Sequence, residues 1–433
     1  MTKQPNTPEK VGNEVRILNF LKKSGKIFGL LIGILFLFFI AFNLLLRIPY
    51  FQKSAVSSLS FTFSAYLGTK NSIESITLSG LTEFRINKFY IEDPEKDTFL
   101  FADRVYARLH PNIFKIFTQG LIIYQLKISD SNLFIKELKK DKQNSLSWFL
   151  SKFNKNNKSV KKGKFKIYPE IFNLKRVKII QDEPSKYLYN NYSLPEVNIS
   201  LNKNYAIDKA IKLNDIEIIN PSIMLKSWKI PDTLLTNKAF VLPVLDLSWE
   251  NLIIKDGTLQ ISNRLKKVSI TNINSKIVNA CYFNGLSEAE IKHLTFKLDD
   301  NPAIERFSAK QISLLDDKWI ANGLGIKMGK STIRGDFIVA ASNPLDFKNL
   351  KNTAQVQLKF YNNQLLIKDL INILPQSFIK KELDIIKNEF ISFKGDVNGN
   401  LNRLIGNNLQ FDFSDGSYFY GKINFRNLLK PKE

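Results

Sequence analysis

Along most of this chain apolar residues recur at every second position, the spacing of a strand with one apolar face. In "EFRINKFYI" (83–91) Phe84 and Ile86 alternate, then the phase shifts to Phe89 and Ile91, as in a bulged strand. "EDPEKDT" supplies a turn. "FLFADRVYARL" (99–109) follows with Phe99, Phe101, Val105, Ala107 and Leu109 on one side, and in "LIIYQLKI" (121–128) Ile122, Tyr124, Leu126 and Ile128 share a face. Further strands are predicted at "RVKII", "EVNISL", "IKLNDIEII", "LDLSWENLII", "GTLQI", "IKHLTFKL", "STIRGDFIV" and "AQVQLKF", short segments separated by turns rich in Asn, Asp, Gly and Pro. The last strands carry Ile391, Phe393 and Val397, then Leu409, Phe411 and Phe413, then Phe419, Ile423 and Phe425, with "SDGS" (414–417) as a hairpin signal.

Three segments read as helices instead. In "YFQKSAVSSLSFTFSAYLG" (50–68) Ala55, Val56, Leu59, Phe63, Tyr66 and Leu67 lie three and four apart, predicting an amphipathic helix that ends at Gly68. "SLSWFLSKF" (145–153) predicts a short helix, and a helical interruption covers about 365–390. Many strands with few helices to cover them predict a mainly β fold with minor α.

One stretch has no periodicity at all. Residues 27–46, "IFGLLIGILFLFFIAFNLLL", contain sixteen Leu, Ile or Phe, and Asn43 is the only polar side chain. As a helix it would span about 30 Å, the thickness of a bilayer's hydrocarbon core. Lys3, Lys10, Arg16, Lys22, Lys23 and Lys26 precede it, while Arg47 and Lys53 follow. That asymmetry predicts an uncleaved, single-pass signal anchor with the N-terminus in the cytoplasm and the bulk of the chain across the membrane. The run is too long for a cleaved signal's apolar core, and "LLLRIPY" is no small-residue cleavage site.

Charge and cysteine content narrow the function classes. The net charge of +23, from 63 Lys and Arg against 40 Asp and Glu, suits anionic lipid surfaces. No zinc-finger, RNP or helix-turn-helix pattern points to nucleic acid. Cys281 is the single cysteine, so no intrachain disulfide can form, and with only His110 and His293 no zinc-type cluster can be written. The organisation expected is a cytoplasmic tail (1–26), the anchor (27–46), an amphipathic helix with a first β module (47–153), a basic linker (154–164), and β modules from 165 to 433. Residues 139–166 carry ten lysines and one acid, and outside the short helix they read as a mobile loop.

No catalytic residue, metal site or cofactor is expected. "MGKST" (328–332) resembles the end of a phosphate-binding loop, but Leu324 stands where the first glycine belongs, and a strand follows where a helix must begin. "DPEKD" brings Asp93, Glu95 and Asp97 together, yet Thr98 replaces the calcium loop's glycine, so a solvated turn is expected. There is no nucleophile elbow and no Gly-rich dinucleotide loop. The alternating strands themselves remain, their apolar faces forming either the packed core of a sandwich or an open groove for acyl chains. The positions expected to line such a groove near the membrane are Phe101, Val105, Leu109, Ile122, Tyr124, Leu126 and Ile128.

The anchor, the segment ending in "YLGT" and the stretch "YIEDPEKDTFLFADRV" resemble the start of the TamB proteins of the AsmA-like superfamily, in their Bacteroidota form. "STIRGDFIVAASNPLDF", "LLIKDLINILPQSF" and "ISFKGDVNGNLNRLIGNNLQFDFSDGSYFYGKINF" resemble that family's recurring strand–turn modules. The resemblance implies an elongated, curled antiparallel β-sheet, groove-like or taco-like, standing in the periplasm on an inner-membrane helix. It implies a role in outer-membrane biogenesis, either phospholipid transfer between membranes along an apolar groove or assembly of outer-membrane proteins beside a TamA-like barrel. Members of that family are longer than this chain, so a fragment, a truncated product and a short relative all stay open.

Overall fold

The computed structural model describes residues 48–79, 82–109, 121–139, 143–154, 165–166, 169–201, 211–227, 247–262, 267–283, 286–299, 304–315, 317–341, 354–373, 386–400 and 402–426. Before them it describes Gly33, Ile34, Leu37, Ile40, Ala41 and Leu44. These six positions are helical, and Ile34, Leu37, Ile40 and Leu44 are exposed. The rest of the expected anchor, the cytoplasmic tail and linker positions 155–164 lie outside the described residues. Among the described residues no helix is long and apolar enough to cross a membrane.

The chain from Pro49 onward is mainly β and forms one large curved, antiparallel-rich sheet. Helix α1 (Pro49–Leu67) leads into β1 (Asn71–Ser72) and β2 (Ser75–Ser79), which both pair with β3 (Glu83–Glu92). β4 (Thr98–Leu109) and β5 (Leu121–Lys136) continue the meander. The chain then passes through α2 (Ser145–Asn154) and the short β6 (Phe165–Lys166) to β7 (Ile171–Glu183), which lies parallel to β5. β8 (Leu188–Leu201) pairs antiparallel with β7 and with two collinear pieces, β9 (Ile211–Ile219) and β10 (Ser222–Ser227). Both pieces lie parallel to β11 (Leu247–Ser262).

From there an antiparallel meander runs through β12 (Lys267–Phe283), β13 (Leu286–Leu298), β14 (Ile304–Leu314), β15 (Lys318–Met328) and β16 (Ser331–Ala340). It continues in β17 (Gln355–Leu366), helix α3 (Ile367–Ile373), β18 (Phe390–Asn400), β19 (Arg403–Phe413) and β20 (Tyr418–Arg426).

The helices start and stop where their residues dictate. Pro49 opens α1 with a preset φ, and Gly68 closes it at φ 75, its N–H donating to the Ser64 carbonyl at 2.8 Å. Asn144 accepts the Ser147 N–H at 2.8 Å at the head of α2. Ser145 ties that helix to β5, accepting the Lys136 N–H and donating to the Phe134 carbonyl.

The strands are longer than their turn signals suggested. "LDLSWENLII" and "GTLQI" belong to the single 16-residue β11, which runs straight through Asp256-Gly257. The reason is that Asp256 takes a left-handed backbone, φ 52, inside the ladder instead of reversing the chain. Lys88, Asp130, Arg176, Asn220 and Asn272 do the same, with φ between 47 and 55. The register sets Lys88 opposite Asp103, Asp103 opposite Asp130 and Asp130 beside Arg176; Pro195 then separates Arg176 from Asn220, which lies beside Asp256. Left-handed Lys88, Asp130, Arg176, Asn220 and Asp256 therefore stand in one line from β3 to β11, with Asp103 and Pro195 between them. Asn and Asp adopt this conformation most readily among residues with a side chain, and each such insertion bends its strand without ending the pairing. "SDGS", by contrast, does reverse the chain: Gly416 sits at φ 84 and Ser417 donates its N–H to Asp415 Oδ1 at 2.8 Å.

Candidate functional site

An inserted residue flips the phase of everything beyond it, so a line of insertions keeps one face apolar on both sides of the bend. In β3 the apolar positions pass from Phe84 and Ile86 to Phe89 and Ile91, in β7 from Phe172 and Leu174 to Val177 and Ile179, and in β11 from Leu252 and Ile254 to Leu259 and Ile261. On the near side of the line, Ile76, Ile86, Val105, Ile128, Leu174, Val197, Ile218 and Ile254 stand in one registered row across eight strands. Two residues along each strand lies a second row: Phe84, Ala107, Leu126, Phe172, Ile199, Ile216, Leu252, Ile277, Ile291 and Ala309. At 4.7–4.9 Å per strand its ten members extend roughly 43 Å.

The row between these two is polar: Arg85, Tyr106, Lys127, Asn173, Asn198, Glu217 and Lys276, with Ile253 the apolar exception. Its side chains bond to one another across the strands. Gln125 Nε2 donates to Asn173 Oδ1 at 2.8 Å, Asn173 Nδ2 to Asn198 Oδ1 at 2.8 Å, and Lys255 Nζ to Glu217 Oε1 at 2.7 Å. The Lys255 ammonium beside Glu217 lowers that carboxyl below the ordinary range. Successive side chains alternate between faces, so one face here is apolar and the other carries a hydrogen-bonded polar net.

Most of the expected lining residues fall on these rows, with corrections. Val105 and Ile128 are registered partners, as are Ala107 and Leu126. Leu109, buried, is opposite Ile123 and not Tyr124, because a bulge between Gln125 and Ile123 sets Tyr124 out of the alternation. Ile122 belongs to β5, and its side chain lies outside the described residues. Phe101 leaves the set: beyond the bend the apolar positions of β4 are Ala102 and Leu100, and Phe101 shares its row with Tyr90, Asn132, Lys178 and Ser193. The phase change read at Lys88 in β3 recurs in β4 at Asp103, which places Phe101 and Val105 on opposite faces. Sequence reasoning missed the larger part of both rows, from β7 to β13, although their two-residue alternation was present in strands already identified.

What covers the apolar face changes along the sheet. On β3 to β5 helices close it beyond the bend line, where Leu67 of α1 packs with Ile91 and Phe99, and Leu146 and Phe149 of α2 pack against the same cluster; before the line Phe84, Val105, Ala107 and Leu126 stay half-buried. The Phe99 ring is 5.0 Å from Phe149 and 6.1 Å from Trp148. Over β7 to β13 the second-row residues Phe172, Ile199, Ile216, Leu252, Ile277 and Ile291 are only half-buried. Beyond them a third apolar row, Ala289, Ile312, Ala321, Phe337, Leu358, Val397 and Ile423, crosses β13 to β20 with Gly406 between the last two. Ile312, Leu314, Trp319, Ala321, Phe337 and Val339 line a depression of ≈400 Å³ there. Nearer the end, Val356, Val397, Leu404 and Leu409 form a buried cluster, and the rings of Phe337, Phe360, Phe393, Phe411 and Phe419 follow one another at 5.3–6.2 Å.

The two motif-like segments have structural roles. "MGKST" is a hairpin turn between β15 and β16, docked on α3: Asp369 accepts the Ser331 hydroxyl at 2.7 Å and the Lys330 N–H at 3.1 Å. "DPEKD" is a turn, but Asp93 in it is 2% exposed, not solvated. Its Oδ1 accepts the Glu95 and Asp97 N–H groups at 2.9 Å each, and burial raises its pKa despite those bonds. Among the described residues no group of His, Cys, Asp or Glu could hold a metal ion. No family model matches this chain, and no curated protein is significantly similar to it.

Proposed function

We propose that this chain is a membrane-anchored envelope protein whose sheet offers its apolar face to the acyl chains of phospholipid, carrying them between membranes. The observation that carries the reading is the second apolar row, half-buried over β7 to β13, with a polar net on the opposite face. Fully exposed in water, such a surface would exceed the few hundred Å² that soluble proteins expose without a partner. Acyl chains satisfy it without hydrogen bonds or catalysis. In this reading residues 27–46 span the inner membrane, the sheet stands in the periplasm and curls about its apolar face into a groove, and the TamB and AsmA-like resemblance describes its relatives.

The test is a photo-crosslinker at position 216 in the full chain, expressed in a bacterial envelope, together with Leu126→Lys. Phospholipid captured from position 216, and a Leu126→Lys protein that melts like the parent but retains less lipid, are the expected results. Crosslinks to protein alone, with Leu126→Lys failing to accumulate, would replace this reading by an assembly scaffold whose apolar face is packed core.

A further inference from the structure

On β14 to β16 the rows that alternate with the apolar ones become strongly basic. Phe307, Ile326 and Ile333 stand in register across these strands. Between them, Arg306 is opposite Lys327, Ser308 opposite Gly325, and Gly325 opposite Arg334. Side chains two apart on a strand share a face, so Arg306, Lys327 and Arg334 rise from the same side, away from the apolar row. Lys310 lies two residues beyond Ser308 on that side, against Gly323.

The two glycines leave the middle of this cationic ring empty. The resulting basin, ≈540 Å³, is lined by the four cations, with the hydroxyl-bearing Ser308, Thr332 and Tyr361 among its other residues, and no carboxylate among the described residues lines it. The neighbouring acids are already engaged: Glu305 pairs with Lys327 at 3.0 Å, and Asp336 accepts the Gly323 N–H at 2.7 Å and the Tyr361 hydroxyl. Among the described residues, no carboxylate is paired with the guanidinium of Arg306 or Arg334.

We propose that this basin binds a phosphate-type anion. With Lys327 already paired to Glu305, Arg306, Lys310 and Arg334 still set like charges around a hollow, and an anion between them removes their repulsion. Two guanidinium forks match a phosphate's oxygens, and serine and threonine hydroxyls supply further donors. The anion is either a phospholipid headgroup or a soluble phosphate, both presenting the same oxygens. The site does not depend on the apolar-face reading, since it lies on the alternate side of the strands.

The test uses the full chain in dodecylmaltoside micelles. One arm measures radiolabelled inorganic phosphate by equilibrium dialysis. The other measures binding to mixed micelles containing phosphatidylglycerol, with phosphatidylcholine as the zwitterionic comparison. Arg306→Gln with Arg334→Gln should weaken binding about tenfold or more. Gly325→Val keeps every charge but fills the floor and should weaken it similarly; its added Cβ meets only the Ser308 hydroxyl, at 3.1 Å, so the strand pairing survives. Lys175→Gln with Lys178→Gln, exposed positions on β7, should change nothing. Saturable phosphate binding without lipid assigns a soluble ligand, and binding confined to phosphatidylglycerol assigns a headgroup. Absence of binding in both arms overturns the proposal, as does loss in the β7 variant equal to that in the arginine variant. So does a Gly325→Val protein that folds and binds like the parent.

Discussion

At the β3–β5 end and over β7–β13 the same two-residue alternation meets different neighbours. At the first, α1 and α2 close over the apolar face beyond the bend line, where Leu67 and Phe99 are each 1% exposed, while Phe84 and Leu126 before the line stay half-buried. Over the second, Ile216, Ile218 and Leu252 are registered as regularly yet remain half-buried. Alternation makes a face apolar, but it does not say what lies on that face. The part under the helices behaves as a small α/β core, while the row over β7–β13 stays half-buried.

The largest effect that would sharpen this contrast is at Phe99. Phe99→Ala removes a ring packed between two helices and the sheet, and should cost about 3–5 kcal/mol. The equivalent truncation in the open span, Ile218→Ala, should cost about 1–2 kcal/mol, because part of its side chain already lies outside the packing. Urea unfolding followed by tryptophan fluorescence and by circular dichroism measures both; equal costs would erase the distinction.

A smaller version of the cover exists at α3, where Asp369 holds the β15–β16 turn. Asp369→Ala should destabilise by about 1–3 kcal/mol, since the fully buried Ser331 hydroxyl loses its acceptor. Hydrogen exchange at Lys330 and Thr332 should rise with it, and unchanged protection there would mean that α3 merely rests on the turn.

Within the covered end, Asp93 tests the cost of its buried turn. Asp93→Ala leaves two backbone N–H groups without an acceptor and should cost about 1–2 kcal/mol, whereas Asp93→Asn keeps the oxygen and should change stability by less than about 0.5 kcal/mol. Thermal melts of the two variants separate the outcomes. If Asn costs as much as Ala, the carboxylate charge matters and not the acceptor.

The smallest effect lies on the bend line that both regions share. Arg176, and with it Arg104, lowers the Asp130 carboxyl to about 2. A depressed carboxyl contributes stability that is present above its unfolded value near 4 and lost as pH falls toward 2. The groups are largely solvated, so the contribution should be about 0.5–1 kcal/mol. Asp130→Asn, which also tolerates the left-handed backbone, should be slightly less stable than the parent at pH 7 and match it at pH 2. A gap that persists at pH 2 would assign the effect to backbone geometry.

By itself the sequence determined the element types. Two-residue alternation is a local property, and it marked the strands; three-and-four spacing ending at Gly68 marked α1, and "SLSWFLSKF" marked α2; Asp415-Gly416 marked a true hairpin. The phase shift between Ile86 and Phe89 was also legible, because an inserted residue leaves its trace in the order of side chains. Tertiary structure alone decided the rest. Asp256-Gly257 and Asn220-Pro221 carry the same residues as a chain reversal, and only pairing with neighbouring strands turns them into bends within a continuous ladder. The same pairing moved Phe101 off the apolar face, because its position depends on a phase change shared across strands far apart in sequence. Whether an apolar row becomes a core or an open surface depends on which segments fold back over it, and α1 and α2 reach only the first few strands. Alternation is set by the backbone within a strand, while cover is set by contacts between segments, and only the first is written in local order.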